Sequence, residues 1–426
     1  MTTTSDRVDV DALAAAVPDV EIVAAGPDDA VDGVAAGAVA SPTSTSEVAA
    51  IVRAAVQQGL TLVARGSGSK LSWGAPPEAA DVVVDLFGMD RVIEHSAGDL
   101  IVHTEAGLQL SALQKVLEPD AQRLAVDPVT ASGRPGTIGG LIATGASGPL
   151  RLASGGVRDL LIGVTIVRAD GKVAKAGGKV VKNVAGYDLG KLFTGSFGTL
   201  GIITEAVFRL NPVPDARRWV TVDVPDPAAA GQVVQQVLHS QVVPSALEID
   251  RRADGGGEVA VLLEGIVDGV DGRAQALIAA LGAGTDRETA PDWWGSAPWG
   301  EREGAATDVV LRLTTELAGL PHLLDALDAC TADLSRRAAV RGSAGVGLLH
   351  ASLPADEPAA VATAVQALRK QSSRWSGDVV VLDAPAAVKS ALDVWGPVRG
   401  LELMRRVKDQ FDPAHRLAPG RFVGGL

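Results

Sequence analysis

The 426-residue sequence carries 38 basic against 51 acidic side chains, a net charge of −13, and is 47% hydrophobic. With no basic run longer than a pair such as Arg251-Arg252, it is excluded from the chains that bind nucleic acid or an anionic membrane surface through basic patches. Its single cysteine, Cys330, excludes an internal disulfide framework and a cysteine-ligated metal or iron–sulfur cluster, and the length suits two or three domains.

Residues 1–10 lack the basic segment and long apolar run of a secretory signal, and no apolar stretch reaches the ~20 residues that span a bilayer. The expected compartment is the cytoplasm. In chain order, residues 1–40 read as an Ala-rich helix and an acidic connector. The first signposted unit opens at Ser41-Pro42. Ser44-Thr-Ser-Glu47 has the capping-box pattern, and Val48, Ile51, Val52, Ala55 and Val56 recur at helical spacing until Gly59. A buried strand over 60–64 then delivers the chain to the turn Arg65-Gly66-Ser67-Gly68-Ser69-Lys70.

Strands are expected at 81–86, 91–94 and 99–105, followed by a helix over 110–117. Residues 161–168 and 172–175 flank Ala169-Asp170-Gly171, a hairpin signal, and a strand over 201–210 stops at Asn211-Pro212. A second unit over 215–400 follows the Pro212-Val-Pro214 break. It reads as strands at 219–224, 247–250 and 259–263 with helices at 228–239 and 273–281, then strands at 309–313, 347–353 and 379–382 with helices at 323–329 and 359–369. The class is α+β. Between the two sets, Asp292-Trp-Trp-Gly-Ser-Ala-Pro-Trp299 is the most aromatic segment, read either as a loop packed on this unit or as a substrate or partner contact.

The glycines concentrate elsewhere. Residues 131–201 hold 17 of the 49 in the chain, in two near-copies of one pattern: Gly133-Arg-Pro-Gly136-Thr-Ile-Gly139 and Gly195-Ser-Phe-Gly198-Thr-Leu-Gly201. Glycine admits close backbone approach to a ligand, so three segments, these two and 65–70, could converge on one large phosphate-bearing molecule. The turn at 65–70 fits neither familiar phosphate loop. Lys70 lies between Ser69 and Leu71 rather than in Gly-Lys-Ser/Thr, and Ser72-Trp-Gly-Ala-Pro-Pro77 cannot open the long helix of a dinucleotide fingerprint. Alone, the turn reads as an anion nest or as a structural turn.

Four ordered blocks carry a resemblance. They are Arg65 to Gly74, Thr137-Ile-Gly-Gly-Leu-Ile-Ala-Thr-Gly-Ala-Ser-Gly148, Lys182 to Glu205, and Phe411-Asp-Pro-Ala-His-Arg-Leu-Ala-Pro-Gly-Arg421. Together they resemble the vanillyl-alcohol-oxidase type of FAD-binding family, also called PCMH-type, and within it the FAD-carrying E subunit of bacterial glycolate oxidase. The resemblance implies a two-subdomain FAD-binding domain over 41–212. It also implies an antiparallel-sheet α+β cap over 215–400 and a segment over 401–426 that returns to the FAD domain.

It implies, further, that Arg65, Gly66, Ser67, Gly68, Ser69 and Lys70 hold the FAD diphosphate. Thr137, Ile138, Gly139, Gly140, Ala143, Thr144, Gly145 and Gly148 would follow the diphosphate, ribityl chain and ring, with Ile202 and Ile203 near the adenine. Some relatives attach FAD covalently through a histidine or cysteine; with Ser67, Ser69 and Lys70 in the loop and Cys330 far from the cofactor blocks, noncovalent FAD is expected.

Flavin oxidation of a 2-hydroxy acid needs a base for the hydroxyl proton and a cation for the carboxylate. Catalytic relatives carry His-x-Gly-Asp-Gly-Asn-x-His in the cap, where this chain has Ser343-Ala-Gly-Val-Gly-Leu-Leu-His350. With Ser343, Val346 and Leu348 replacing ligands, one imidazole cannot hold a divalent ion, and no metal is expected. His350 is read as a base or as a structural histidine. Arg312 is the carboxylate candidate, ahead of Arg302 and Arg374.

The resemblance implies one of two functions. One is the FAD-binding companion subunit of a glycolate oxidase complex, beside a catalytic FAD subunit and an iron–sulfur subunit, with any inner-membrane attachment made through those partners. The other is a self-sufficient FAD dehydrogenase of a small 2-hydroxy acid such as D-lactate. A flavin-free binding module is the third, disfavoured because the glycine blocks are intact.

Overall fold

A computed structural model describes residues 7–129, 134–179, 187–300 and 307–426. Gly133, residues 182–186 of the third block, and Arg302 fall outside them.

Four strands, β1 (Glu21–Ala24), β2 (Ala36–Ser41), β3 (Leu62–Arg65) and β4 (Ala80–Asp85), form a sheet in the order β1-β2-β4-β3, parallel except for the β1–β2 pair. The stretch read as an acidic connector therefore supplies two strands of the first sheet. Alanine and glycine in β2 hid it, because the strand signal rests on β-branched and aromatic residues. Helix Thr45–Gln57 begins where expected. Ser44 Oγ accepts from Glu47 N at 3.3 Å, but Glu47 reaches back one residue further than a capping box requires, accepting from Thr43 N at 2.7 Å.

A second sheet is antiparallel throughout, built from β5 (Val92–Ser96), β6 (Ile101–Glu105), β8 (Leu161–Val167), β9 (Val173–Gly177) and β10 (Ile202–Arg209) in the order β5-β6-β10-β8-β9. The short β7 (Gln122–Arg123) pairs with β11 (Asn211–Pro212). Alternation along β10 decides which core each residue joins: Ile202 packs under the first sheet, Ile203 under the second. Among the glycines, residues Ile138–Thr144 form a helix, with Thr137 Oγ1 accepting from Gly140 N and Gly145 ending it at φ +62°. Gly139 and Gly140 are poor helix formers. A Cβ on Gly139 would sit 3.0 Å from the Ala106 side chain, so close packing on β6 sets the choice of residue there.

The rest of the chain builds one eight-stranded antiparallel sheet from β12 (Ala216–Val224), β13 (Ala246–Arg251), β14 (Gly257–Gly265), β15 (Thr285–Arg287), β16 (Asp308–Thr314), β17 (Ala339–Ser343), β18 (Leu348–Pro354) and β19 (Val379–Asp383), in the order β15-β12-β14-β13-β17-β18-β16-β19. Leu311, Leu313, Leu349 and Ala351 point to a core shared with helices Pro227–His239, Leu320–Cys330 and Pro358–Ser372. Their neighbours Arg312 and His350, directly opposite each other in register, therefore point the other way, towards the first two sheets.

Residues after 400 return to the first unit. Helix Leu401–Phe411 buries Lys408, whose Nζ donates to Thr199 O at 2.7 Å, Leu417 O at 3.0 Å and Asp412 Oδ2 at 2.7 Å. Beyond it Leu417 bridges to Leu62 in parallel, extending the first sheet past β3.

Candidate functional site

A cleft of about 540 Å³ runs between the two glycine-bearing sheets and the eight-stranded unit. Its walls are formed by the turn after β3, the start of helix Ile138–Thr144 and the loop before β10. The two glycine copies meet there: Gly136 and Gly139 of the first, Gly198 and Gly201 of the second, all line it. Hydrogen bonds from Gly195 N to Ile142 O and from Phe197 N to Ala143 O, both 2.9 Å, seat the second copy on the end of the helix opened by the first.

Arg65, Gly66, Ser67, Gly68, Ser69, Lys70, Thr137, Gly139, Gly140, Ala143, Thr144 and Ile203 all line this cleft. Ile138 and Ile202 do not: both side chains are buried in the cores beneath. Gly148 is set back as well, and its lack of a side chain is explained by backbone packing, since a Cβ there would collide with Asp127 O. Gly145 lies with Thr144 on a smaller pocket opening beside the main cleft.

The turn is a donor nest. Among the described residues, the backbone N–H groups of Ser67, Gly68, Ser69 and Lys70 have no hydrogen-bond acceptor. Gly68 takes φ +77°, and a Cβ on Gly66 would collide with Thr137 Oγ1, so the loop needs both glycines. Arg65 is not free to meet a ligand: Asp29 and Asp85 each hold it at 2.7 Å. Lys70 has neither hydrogen bond nor ion pair among the described residues, and burial lowers its pKa. A long, flat, doubly anionic ligand fits this set: free N–H donors and an ammonium at one end, mostly apolar walls along the rest.

Sequence reasoning missed Asp127, on the same wall. Burial pushes its carboxyl up to about 7, against the acceptance of Leu150 N at 3.0 Å, which favours the anion. The Asp127-Pro128 step just ahead of the glycines is the only sequence signal it leaves.

The smaller pocket brings together Arg312, His350, Trp73, Trp299, Thr144 and Ser147. Burial holds the His350 imidazole down to about 4, with the Arg312 charge adding to the effect, so the ring is neutral at physiological pH. Arg312 has no carboxylate partner among the described residues; burial and the nearby Arg151 lower its pKa. A neutral imidazole beside an uncompensated guanidinium can accept a proton while an anion is held.

Of the other cations, Arg374 sits in a short 3-10 turn away from both pockets. The aromatic segment turns out to face the site. Trp294 and Gly295 line the main cleft, and the Trp299 ring meets His350 edge-on at 5.9 Å. Arg341 pins this loop, donating to Ser296 Oγ at 2.6 Å and Ala297 O at 3.1 Å while paired with Asp250. Among the described residues no cluster of three or more His, Cys, Asp or Glu could hold a metal ion, and no helix is long and apolar enough to cross a membrane.

Residues 36–177 match the family model described as an FAD binding domain, and residues 394–422 match that of the C-terminal domain of FAD linked oxidases. The chain is similar to glycolate oxidase subunit GlcD of Bacillus subtilis (strain 168), 33% identical over 50% of this chain and 44% of that one. It is also similar to glycolate oxidase subunit GlcE of Escherichia coli (strain K12), 31% identical over 48% of this chain and 59% of that one. The matched region thus spans about half the length of each. A solved chitooligosaccharide oxidase superposes with a TM-score of 0.68 at 17% identity, over 95% of this chain and 97% of the other, a likeness of fold. The chain accordingly carries an FAD binding domain over residues 36–177 and has a PCMH-type fold, and the glycine-lined cleft with its free N–H donors is the candidate site for that cofactor.

Proposed function

We propose that this chain is the FAD-binding subunit of a 2-hydroxy-acid dehydrogenase of the glycolate oxidase kind, supporting oxidation of glycolate to glyoxylate beside a catalytic FAD subunit and an iron–sulfur subunit. The observation that carries the companion role is the make-up of the β17–β18 turn. Ser343, Val346 and Leu348 stand where the motif of the catalytic relatives described above has its first histidine, its aspartate and its asparagine.

FAD is held without a covalent link in this reading, since the described residues lining the main cleft include no histidine or cysteine. The residues assigned to it are Gly66 to Lys70, Thr137, Gly139, Gly140, Ala143, Thr144 and Ile203, with Arg65 lining the cleft while its guanidinium stays on Asp29 and Asp85, and with Gly145 where the ring meets the smaller pocket. Bound FAD supplies a two-electron acceptor for a hydride from the C2 carbon. In a chain that oxidises the acid by itself, the protein's own part would be to hold the acid and take the hydroxyl proton. Arg312 would hold the carboxylate, and neutral His350 would accept the proton at one ring nitrogen. An anion on Arg312 offsets the lesser of the two causes that depress His350, burial being the larger, so substrate binding raises the basicity of the ring in part.

The pairing of Arg312 with His350 beside the cleft favours a second reading, a self-sufficient dehydrogenase of a small acid such as D-lactate. Anaerobic mixing of the isolated flavoprotein with glycolate or D-lactate separates the two. Companion function predicts that the flavin absorbance persists until partner subunits are added, whereas rapid bleaching by the chain alone overturns it. Where bleaching occurs, His350→Ala should slow it about 10²-fold or more, and Arg312→Met should chiefly raise the substrate concentration needed.

A further inference from the structure

We propose that Lys70 contacts the FAD diphosphate as its counter-charge, and that Arg421, more than 300 residues downstream, is the positioning residue that turns the loop toward it. The inference rests on FAD occupying the cleft and holds whichever acid the second unit accepts.

The cleft wall carries four cations, and their engagements differ. Arg65 is saturated by two carboxylates, and Arg134 reaches back toward Ser67 O at 3.5 Å. Arg421 is buried, and its Nη2 gathers the carbonyl oxygens of Lys70, Leu71 and Trp73. Lys70 alone has only a ring for company, its Nζ lying 5.4 Å from the Trp73 centroid. It also faces Gly136 across the cleft, where a Cβ would come within 3.8 Å of Nζ. Burying an ammonium among neutral groups is unfavourable, and its lowered pKa reports that cost. A dianion at the adjacent free N–H groups of Ser67 to Lys70 would remove it.

Arg421 explains why those N–H groups are free. With three of the four carbonyls of 70–73 drawn to one guanidinium, the amide donors just upstream have no local acceptor among the described residues and remain available to the cleft. One of its own nitrogens, Nη1, is buried without a partner among the described residues. Nearby Asp32 and Asp383 favour the charge, but burial dominates and takes its pKa down to about 10.

The test is equilibrium binding of FAD, ADP-ribose and riboflavin to the full chain freed of flavin, read by fluorescence. ADP-ribose carries the diphosphate without the ring, and riboflavin the ring without the diphosphate. Lys70→Met should weaken FAD and ADP-ribose alike by about tenfold or more and leave riboflavin unchanged, while Lys70→Arg restores most of the loss. Arg421→Lys should show the same split, whereas a merely structural role would weaken riboflavin equally. Unchanged ADP-ribose binding in Lys70→Met overturns the proposal, as does a loss confined to riboflavin. A wild-type chain that binds neither FAD nor ADP-ribose overturns it together with the cleft assignment, and neither result touches the choice of acid.

Discussion

Two half-buried titratable side chains lining the pockets are tuned in opposite directions, and the signs differ accordingly. His350 is held down to about 4 from 6.5, so its contribution to stability is present above pH 6.5 and is lost as pH falls through 4. Asp127 is pushed up from 3.8 to about 7, so the folded state prefers its neutral form. Its contribution is present below pH 3.8 and is lost as pH rises through 7. Asp127→Asn keeps an oxygen for Leu150 N and removes the titration. The thermal midpoint of that variant should match wild type below pH 3.8, exceed it increasingly between pH 4 and 7, and hold a constant excess above pH 7. A constant difference between pH 4 and 7 would mean that Asp127 is ionised in the folded protein.

Helix Leu401–Phe411 depends on one interior charge. Lys408 and Asp412 are both almost fully buried, four residues apart, and the ammonium also caps carbonyls of Thr199 and Leu417. Removing one partner strands the other, at a cost of about 3–5 kcal/mol. Lys408→Met should therefore lower the urea midpoint markedly, and Lys408→Met combined with Asp412→Asn should recover part of the loss.

Elements of this kind were unevenly visible in the sequence. The hairpin around Asp170-Gly171 and the helices with a clean apolar period could be read from local pattern, as could the α+β class. Strands β2 and β17 could not. Ala36–Ser41 is rich in small residues, Ala339–Ser343 carries Arg341 and Gly342, and both gain their place from neighbours distant in sequence. The helix at Ile138–Thr144 was hidden for the opposite reason, because its glycines satisfy packing on Ala106 rather than local propensity. At the site, glycine spacing pointed to the cleft-lining loops, while Asp127, Arg341 and Trp294 depend on tertiary placement and leave almost no sequence signal.

The two halves of the molecule are fastened by a buried charge group. Lys389, on the second unit, donates to Asp32 Oδ2 at 2.7 Å and to Ser72 O, and lies 3.4 Å from Asp383. Ser72 Oγ donates to Asp383 Oδ2 at 2.9 Å, and Gly74 N to Leu382 O at 2.8 Å. Burial raises the Asp32 pKa even against the Lys389 charge. Lys389→Met would leave the two carboxylates without their ion-pair partner, with only the more distant Arg421 charge to offset them. The expected result is faster hydrogen exchange at the Gly74 amide with little change in the core of β8 and β10, because the seam opens before either sheet does.

Arg421 also gives the cofactor site a place in time. Lys70 and Arg421 stand 351 positions apart, so at cellular rates of synthesis the loop emerges roughly 20–70 s before the guanidinium that gathers its carbonyls. For that interval the nascent first sheets exist without the strand-like bridge at Leu417 or the clamp on 70–73. A chain still on the ribosome should then be a poor receptor for flavin. Loading becomes a late event that reports arrival of the segment around Arg421, and a yellow product is one in which that segment has already docked.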